Sequence, residues 1–185
     1  EALKHTKDIQ GAEVDQVHVI RQRPDGVDEG AIYSADKTPN PGYETKNDLL
    51  HPAGQQYTLK AKEAKNFSGQ PIPKVLPPGT KIYRIVATYK SANGSWWSYE
   101  KPGSIQAWRS GYAVKEVWNK NGYYVEYTVG QDGLPIWEGK AATQSLAKQG
   151  FPDWVLPGGQ QQIYVPQSDQ SIPDLLELYK TNWNK

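Results

Sequence analysis

Two adjacent prolines followed by a glycine, Pro77-Pro78-Gly79, place the firmest constraint on this chain. Neither proline carries a backbone N–H, and glycine readily takes the positive φ of a reversal, so helix and ladder alike are interrupted there. Whatever follows is a new element. Lys81-Ile-Tyr-Arg-Ile-Val-Ala-Thr-Tyr-Lys90 alternates and is rich in β-branched and aromatic residues, which predicts a strand over 81–90. Similar punctuation recurs along the chain. Its 17 glycines and 14 prolines in 185 residues predict many turns and short strands rather than long helices.

Residues 95–99, 105–109, 112–118 and 123–129, dominated by Tyr, Val and Trp, read as further strands. The Asn-Gly pairs at 93–94 and 121–122 read as hairpin turns. An alanine-rich stretch over 140–149 predicts a helix that stops at Gly150, a suitable left-handed cap, and a last strand is expected over 162–165. Ser171 and Asp174 have capping-box spacing, Pro173 lies in the opening turn, and Leu175, Leu176, Tyr179 and Trp183 share one face, which predicts a terminal amphipathic helix. Before residue 70 the texture is looser. A short helix at about 2–9 and a strand around Val14, Val17 and Val19 precede a stretch dense in Asp, Gly, Pro and Asn, and 57–65 fits either helix or strand. The expected class is α+β, a mostly antiparallel twisted sheet with marginal helices. Residues 1–70 are expected to be an N-terminal uptake or linker segment, and 71–185 the functional domain.

Composition excludes several chemistries. Without cysteine there is no disulfide, thiolate nucleophile or Cys-ligated zinc. His5, His18 and His51 are too dispersed for a zinc motif, so no metal is expected. No P-loop, GxGxxG fingerprint or nucleophile elbow occurs. The absence of methionine points to a piece of a longer or processed polypeptide, and no apolar run is long enough for a membrane span, so no stable membrane insertion is expected. Residues 1–50 carry 6 basic and 10 acidic side chains, 51–120 carry 11 and 3, and 121–185 carry 4 and 7, so an anion would go to the middle block. In that block Glu63, Glu100 and Glu116 form no obvious pair, which disfavours a retaining glycosidase for neutral sugars. Seven tryptophans and twelve tyrosines stand beside only two phenylalanines, so most of these rings are needed for the core. An exposed remainder would instead mark a noncatalytic module that binds a glycan or a protein.

Three constellations could carry chemistry. Leu76-Pro-Pro-Gly-Thr-Lys-Ile-Tyr-Arg84 delivers an arginine onto a well-defined strand, although a lone arginine there also fits an ordinary surface charge. Gly94-Ser-Trp-Trp-Ser98, with Trp108-Arg109 after it, gathers hydroxyls, indoles and a second cation, and also fits an aromatic core strand with its turn. Leu156-Pro-Gly-Gly-Gln-Gln-Gln162-Ile-Tyr offers two glycines, Gly158 and Gly159, that would let backbone approach a ligand just before amide side chains; a plain polar loop is the other reading.

Together, from Val75 to Tyr164, these residues resemble the tuberculosis necrotizing toxin (TNT) family of NAD glycohydrolases, C-terminal toxin domains related in fold to ADP-ribosyltransferases. The family's LxPGT turn and aromatic-hydrophobic-Arg strand match Leu76 to Arg84. Its Gly-aromatic-Ser stretch matches Gly94 to Ser98, its second arginine Arg109, and its closing Pro-Gly-Gly with glutamine before an aromatic Pro157 to Tyr164. The resemblance implies Arg84, Gln162 and Tyr124 as catalytic residues, Tyr124 standing where the family has a histidine. It implies Arg109, Trp97, Ser98, Gly158, Gly159 and Gln161 as the substrate-binding set, with both arginines on the diphosphate.

The resemblance further implies that NAD or NADP is the substrate, with no cofactor and no nucleic-acid partner. A cognate immunity protein would plug the cleft, and the chain would be secreted or delivered by contact to deplete NAD in the target-cell cytoplasm. The bond from nicotinamide to ribose breaks through an oxocarbenium-like state and the base leaves neutral, so no general acid is required. Transferases of the related fold need a glutamate on the last strand. Gln160-Gln-Gln-Ile-Tyr-Val165 has none, which favours water as acceptor. The alternative is ADP-ribosylation of a target protein with Glu126 or Glu138 supplied from elsewhere.

Overall fold

The computed structural model describes residues 2–7, 13–166, 172–173 and 176–183. In chain order the strands are β1 (Ala2–Lys7), β2 (Glu13–Ile20), β3 (Ile32–Tyr33), β4 (Leu49–His51) and β5 (Gly54–Leu59). A one-turn helix α1 (Ala61–Ala64) leads into β6 (Phe67–Leu76), β7 (Lys81–Val86) and β8 (Trp96–Ser98). Helix α2 (Ile105–Tyr112) precedes β9 (Tyr123–Thr128), β10 (Leu134–Ala141), β11 (Gln144–Ser145), β12 (Trp154–Leu156), β13 (Gln161–Tyr164) and β14 (Tyr179–Lys180). The architecture is α+β. A seven-stranded sheet, ordered β14-β9-β7-β8-β13-β10-β6, is antiparallel at every pairing. A three-stranded sheet, β11-β12-β3, and the hairpins β1-β2 and β4-β5 accompany it.

Alternation distributes apolar side chains to both faces of the large sheet. Ile82, Val86, Trp97, Val125, Ile136 and Ile163 form one core. On the other face Ile85 packs with Ile105 and Trp108 of α2, and Trp137 packs with Leu59, Ala64 and Phe67. The division expected at residue 70 falls within β6, and Val27, Ala31, Leu59 and Ala64 complete core clusters with residues beyond it.

Several expectations need correction. Residues 2–7 are a strand paired with β2, not a helix. The strand expected to reach Lys90 ends at Val86, and a 3₁₀ turn follows at Tyr89–Ser91. Residues 105–109 are helical, because Ser104 Oγ accepts the Ala107 N–H at 3.0 Å as an N-cap and the buried Ile105 and Trp108 stand three apart. Residues 112–118 hold no strand. Residues 140–149 are not a helix either: β10 runs to Ala141 because its backbone pairs with β6 and β13, and only a 3₁₀ turn at Ala147–Gln149 remains, closed by Gly150 at φ 96°. Over 57–65, strand gives way to helix at Lys60. Asn93-Gly94 lies in the β7–β8 connection, whereas Asn121-Gly122 leads from the α2 region into β9.

At the C-terminal end Tyr179–Lys180 pairs with β9 as a strand, while Leu176 and Trp183 pack into different clusters. The capping box at Ser171 and Asp174, with Leu175, lies outside the described residues. His51 is buried and structural. Its Nδ1 accepts the Ala53 N–H at 3.0 Å, so Nε2 carries the proton toward the Ile136 carbonyl at 3.0 Å.

Trp137 is 2% exposed, donates its indole N–H to the Tyr57 carbonyl at 2.7 Å, and ties β5, α1 and β6 to β10. Trp137→Ala is expected to lower unfolding free energy by about 3–5 kcal/mol in a urea titration.

Candidate functional site

Across the middle of the sheet the ladders align Tyr83 with Ser98, Ser98 with Gln162, and Gln162 with Gly139. One row thus crosses β7, β8, β13 and β10. Above it lies a cavity of about 560 Å³, bounded by α1, the link from α1 to β6 and the chain that follows α2. That volume falls in the range of roughly 300–1,000 Å³ typical of small-molecule and cofactor sites. Lys62, Lys65 and Arg84 bring positive charge to its lining, and Glu63 is the one carboxylate among the residues that form it.

Arg84 is held where β7 and β8 share a single ladder pair. Its Nε donates to the Ser91 carbonyl at 2.8 Å and Nη1 to the Trp96 carbonyl at 2.9 Å. Burial lowers the guanidinium to about 10, so it stays charged at neutral pH. No carboxylate among the described residues pairs with it. Gly94 makes the arrangement possible, because a Cβ there would overlap the guanidinium.

Ser98 and Gln162 are 6% and 7% exposed. The Ser98 hydroxyl donates to the Glu100 carbonyl at 2.7 Å, and the Gln162 amide to the Asn66 carbonyl at 2.7 Å. These bonds fix both side chains against the cavity floor. Tyr112 faces the same space. Burial raises its phenol, the Ser98 hydroxyl partly offsets the rise and the Glu100 charge adds to it, which keeps the phenol a neutral donor at pH 7.

The structure therefore brings Arg84, Trp97, Ser98 and Gln162 to one cavity and sends the other expected residues elsewhere. Trp97 lines the cavity from within the core, at 3% exposure, and donates its indole N–H to the Gly94 carbonyl at 2.7 Å. Arg109 is 1% exposed and outside the lining. Its Nη1 and Nη2 donate to the carbonyls of Val114 and Asn119 at 3.1 and 3.0 Å, so it staples the chain after α2. Tyr124 is away from the cavity, stacked on Tyr179 with centroids 5.3 Å apart and capped by Lys101. Gly158 and Gly159 adopt φ of 75° and 102° to fold the turn before β13 against β10 and α2, with N–H donation to Ser110 and Ala141 carbonyls. Gln161 is exposed opposite Lys140. Glu126 is paired with Lys81, and Glu138 with Lys74 and the Tyr99 hydroxyl; neither reaches the cavity.

Sequence reasoning missed Asn66, Tyr83, Tyr112, Trp118 and the α1 side chains. The basic block held Lys62 and Lys65, but only the folded connections show that they border this cavity.

Neither a family model nor a curated protein matches the chain. A solved structure of Tne2 in complex with Tni2 aligns with a TM-score of 0.45 and 16% identity, covering 61% of this chain and 91% of that one. A likeness that slight carries no argument about activity.

Gly94→Ala is expected to displace the Arg84 head while leaving the fold intact, because the obstacle is the end of a flexible side chain. A crystal structure of the variant would show the guanidinium moved off the Ser91 and Trp96 carbonyls, with a modest fall in melting temperature for the two bonds lost. Arg109→Ala is expected to behave oppositely. It strands two carbonyls beside a buried void and should cost about 2–4 kcal/mol of stability in chemical denaturation.

Proposed function

We propose that this chain hydrolyses NAD to nicotinamide and ADP-ribose, acting as a toxin domain that depletes the dinucleotide in a target cell. The observation that carries the reading is Arg84: a half-buried guanidinium with no carboxylate partner among the described residues, oriented by two backbone carbonyls, on the wall of a cavity floored by Ser98 and Gln162. A desolvated cation of this kind gains most from an anionic ligand. With Arg109 engaged elsewhere, Arg84 takes the diphosphate together with Lys62 and Lys65.

The reaction needs little from the protein beyond placement and charge. The glycosidic C–N bond breaks with its electron pair moving to the pyridinium nitrogen, so nicotinamide leaves neutral and the ribose carbon becomes oxocarbenium-like. Water then bonds to that carbon and loses a proton. The Gln162 carboxamide, fixed by Asn66, offers its oxygen dipole to the reacting ribose, and Ser98 with Tyr112 provides hydroxyls for the ribose or the carboxamide of nicotinamide. Glu63, the one carboxylate in the lining, is the group we assign to favour the developing positive charge and to receive the proton. Water as acceptor is supported by the absence of a carboxylate on β13 and by the engagement of Glu126 and Glu138 in other pairs.

The resemblance in the sequence extends the reading to an immunity protein that closes the cavity mouth and to delivery outside the producing cell. The test is purified chain with NAD, nicotinamide being followed over time. Arg84→Ala and Gln162→Ala are each expected to lower kcat/KM by about 100-fold, as for loss of one preorganised polar contact to a transition state. An intact dinucleotide after prolonged incubation with the unaltered chain overturns the proposal. Label from NAD attached to a protein would turn it toward ADP-ribosyl transfer.

A further inference from the structure

We propose that Trp118 is the stacking platform for the adenine ring of the dinucleotide at the cavity mouth, an assignment that rests on the NAD-cleaving reading. The cavity is bordered by six aromatic residues, Tyr83, Trp96, Trp97, Trp108, Tyr112 and Trp118. Five of them are buried or half-buried. Trp97 and Trp108 belong to core clusters, Trp96 packs on Phe67 and Tyr164, and Tyr83 and Tyr112 are partly covered. Trp118 alone among them is mostly in solvent, at 56% exposure.

An exposed indole forfeits a large hydrophobic gain, so a chain free to tuck it inward would do so. This chain is not free. Arg109 grips the Val114 and Asn119 carbonyls, the Asn119 side chain donates to the Ile85 carbonyl at 2.8 Å, and the Asp28 carboxylate accepts the Glu116 N–H at 2.9 Å. The ring is thus presented by an anchored turn, with its ordering cost already met before any ligand arrives. The Lys115 ammonium stands 5.1 Å from the Trp118 ring centroid and is itself 8% exposed. It stands over one face of the indole, so with the ring 56% exposed the planar ligand is assigned to the opposite face.

Depth decides which ring. Ser98 and Gln162, at 6% and 7% exposure, lie where water is scarce, so the reacting ribose and nicotinamide belong there. The base that takes no part in the reaction, adenine, then reaches the exposed end of the cavity.

The experiment compares NAD with nicotinamide mononucleotide, which carries the same scissile bond and no adenine, using wild type, Trp118→Ala and Trp118→Phe. Trp118→Ala is expected to raise KM for NAD about tenfold with kcat within twofold, Trp118→Phe to restore most of the loss, and the mononucleotide to be cleaved equally by all three. Unchanged KM for NAD, or an equal loss on both substrates, overturns the platform and leaves the hydrolase reading standing. Should the wild type cleave neither substrate, the hydrolase reading fails, and equilibrium binding of AMP decides the platform. Tenfold weaker binding to Trp118→Ala upholds it; equal binding, or none to the wild type, overturns it.

Discussion

The candidate site depends on register. Tyr83, Ser98, Gln162 and Gly139 stand in one row across four strands, and a slip of one residue in β13 would exchange Gln162 for Ile163, turning the amide from the cavity into the core. Two features hold that register. Ile163 and Val165 are fully buried on the opposite face, so a slip would expose both. Gly139, the row's last member, has no side chain where Phe67 of β6 packs, and this fixes β10, the strand on which β13 is laid, because any other β10 residue brought there would collide with that ring. Apolar burial on one face of the sheet therefore fixes the position of the buried amide on the other.

The two arginines show how one sequence signal separates into two roles. Each lies in an aromatic stretch of the basic block, and each looks suited to a diphosphate. Arg109 falls on the buried side of α2, where Val114 and Asn119 carbonyls take its head; burial lowers its proton affinity, and the charges of Asp28, Glu116 and Glu29 act against that fall. Its environment supplies the compensation. Arg84 is lowered by burial with no acidic group acting against the fall, and the Ser91 and Trp96 carbonyls take its head at the cavity wall. Substitution at the first should be felt in stability, and at the second in ligand affinity.

How much was legible follows from where each residue sits. Strands β7, β8, β9 and β13 were readable because period-two alternation runs between turn residues, and Arg84, Ser98 and Gln162 were readable with them. The 105–118 region was misread because Trp, Tyr and Val were weighed as strand formers, while the Ser104 cap and the spacing of Ile105, Trp108 and Tyr112 specify a helix. At 140–149 alanine's helical preference, worth tenths of a kcal/mol per residue, lost to ladder bonds with β6 and β13. Trp118 and Tyr112 were hidden by the first error. Asn66, Lys62 and Lys65 were hidden because they reach the site only through the packing of Leu59, Ala64 and Phe67 on Trp137.

The positive excess of residues 51–120 also resolves into something local. Lys60, Lys74, Lys81 and Lys120 are each paired with a carboxylate, while Lys101 and Lys115 sit over aromatic rings. The four ion pairs, of which only Lys74–Glu138 has a buried carboxylate, neutralise the field around themselves. Arg109 is engaged by backbone carbonyls and Lys90 is exposed away from the cavity, whereas Arg84, Lys62 and Lys65, with no ion pair among the described residues, all border it. A charge imbalance that looks diffuse along the sequence thus converges on one concave surface in the fold. An anion approaching it meets a field that the protein has left unbalanced, and the most desolvated of the three cations is the one whose side chain the backbone holds in place.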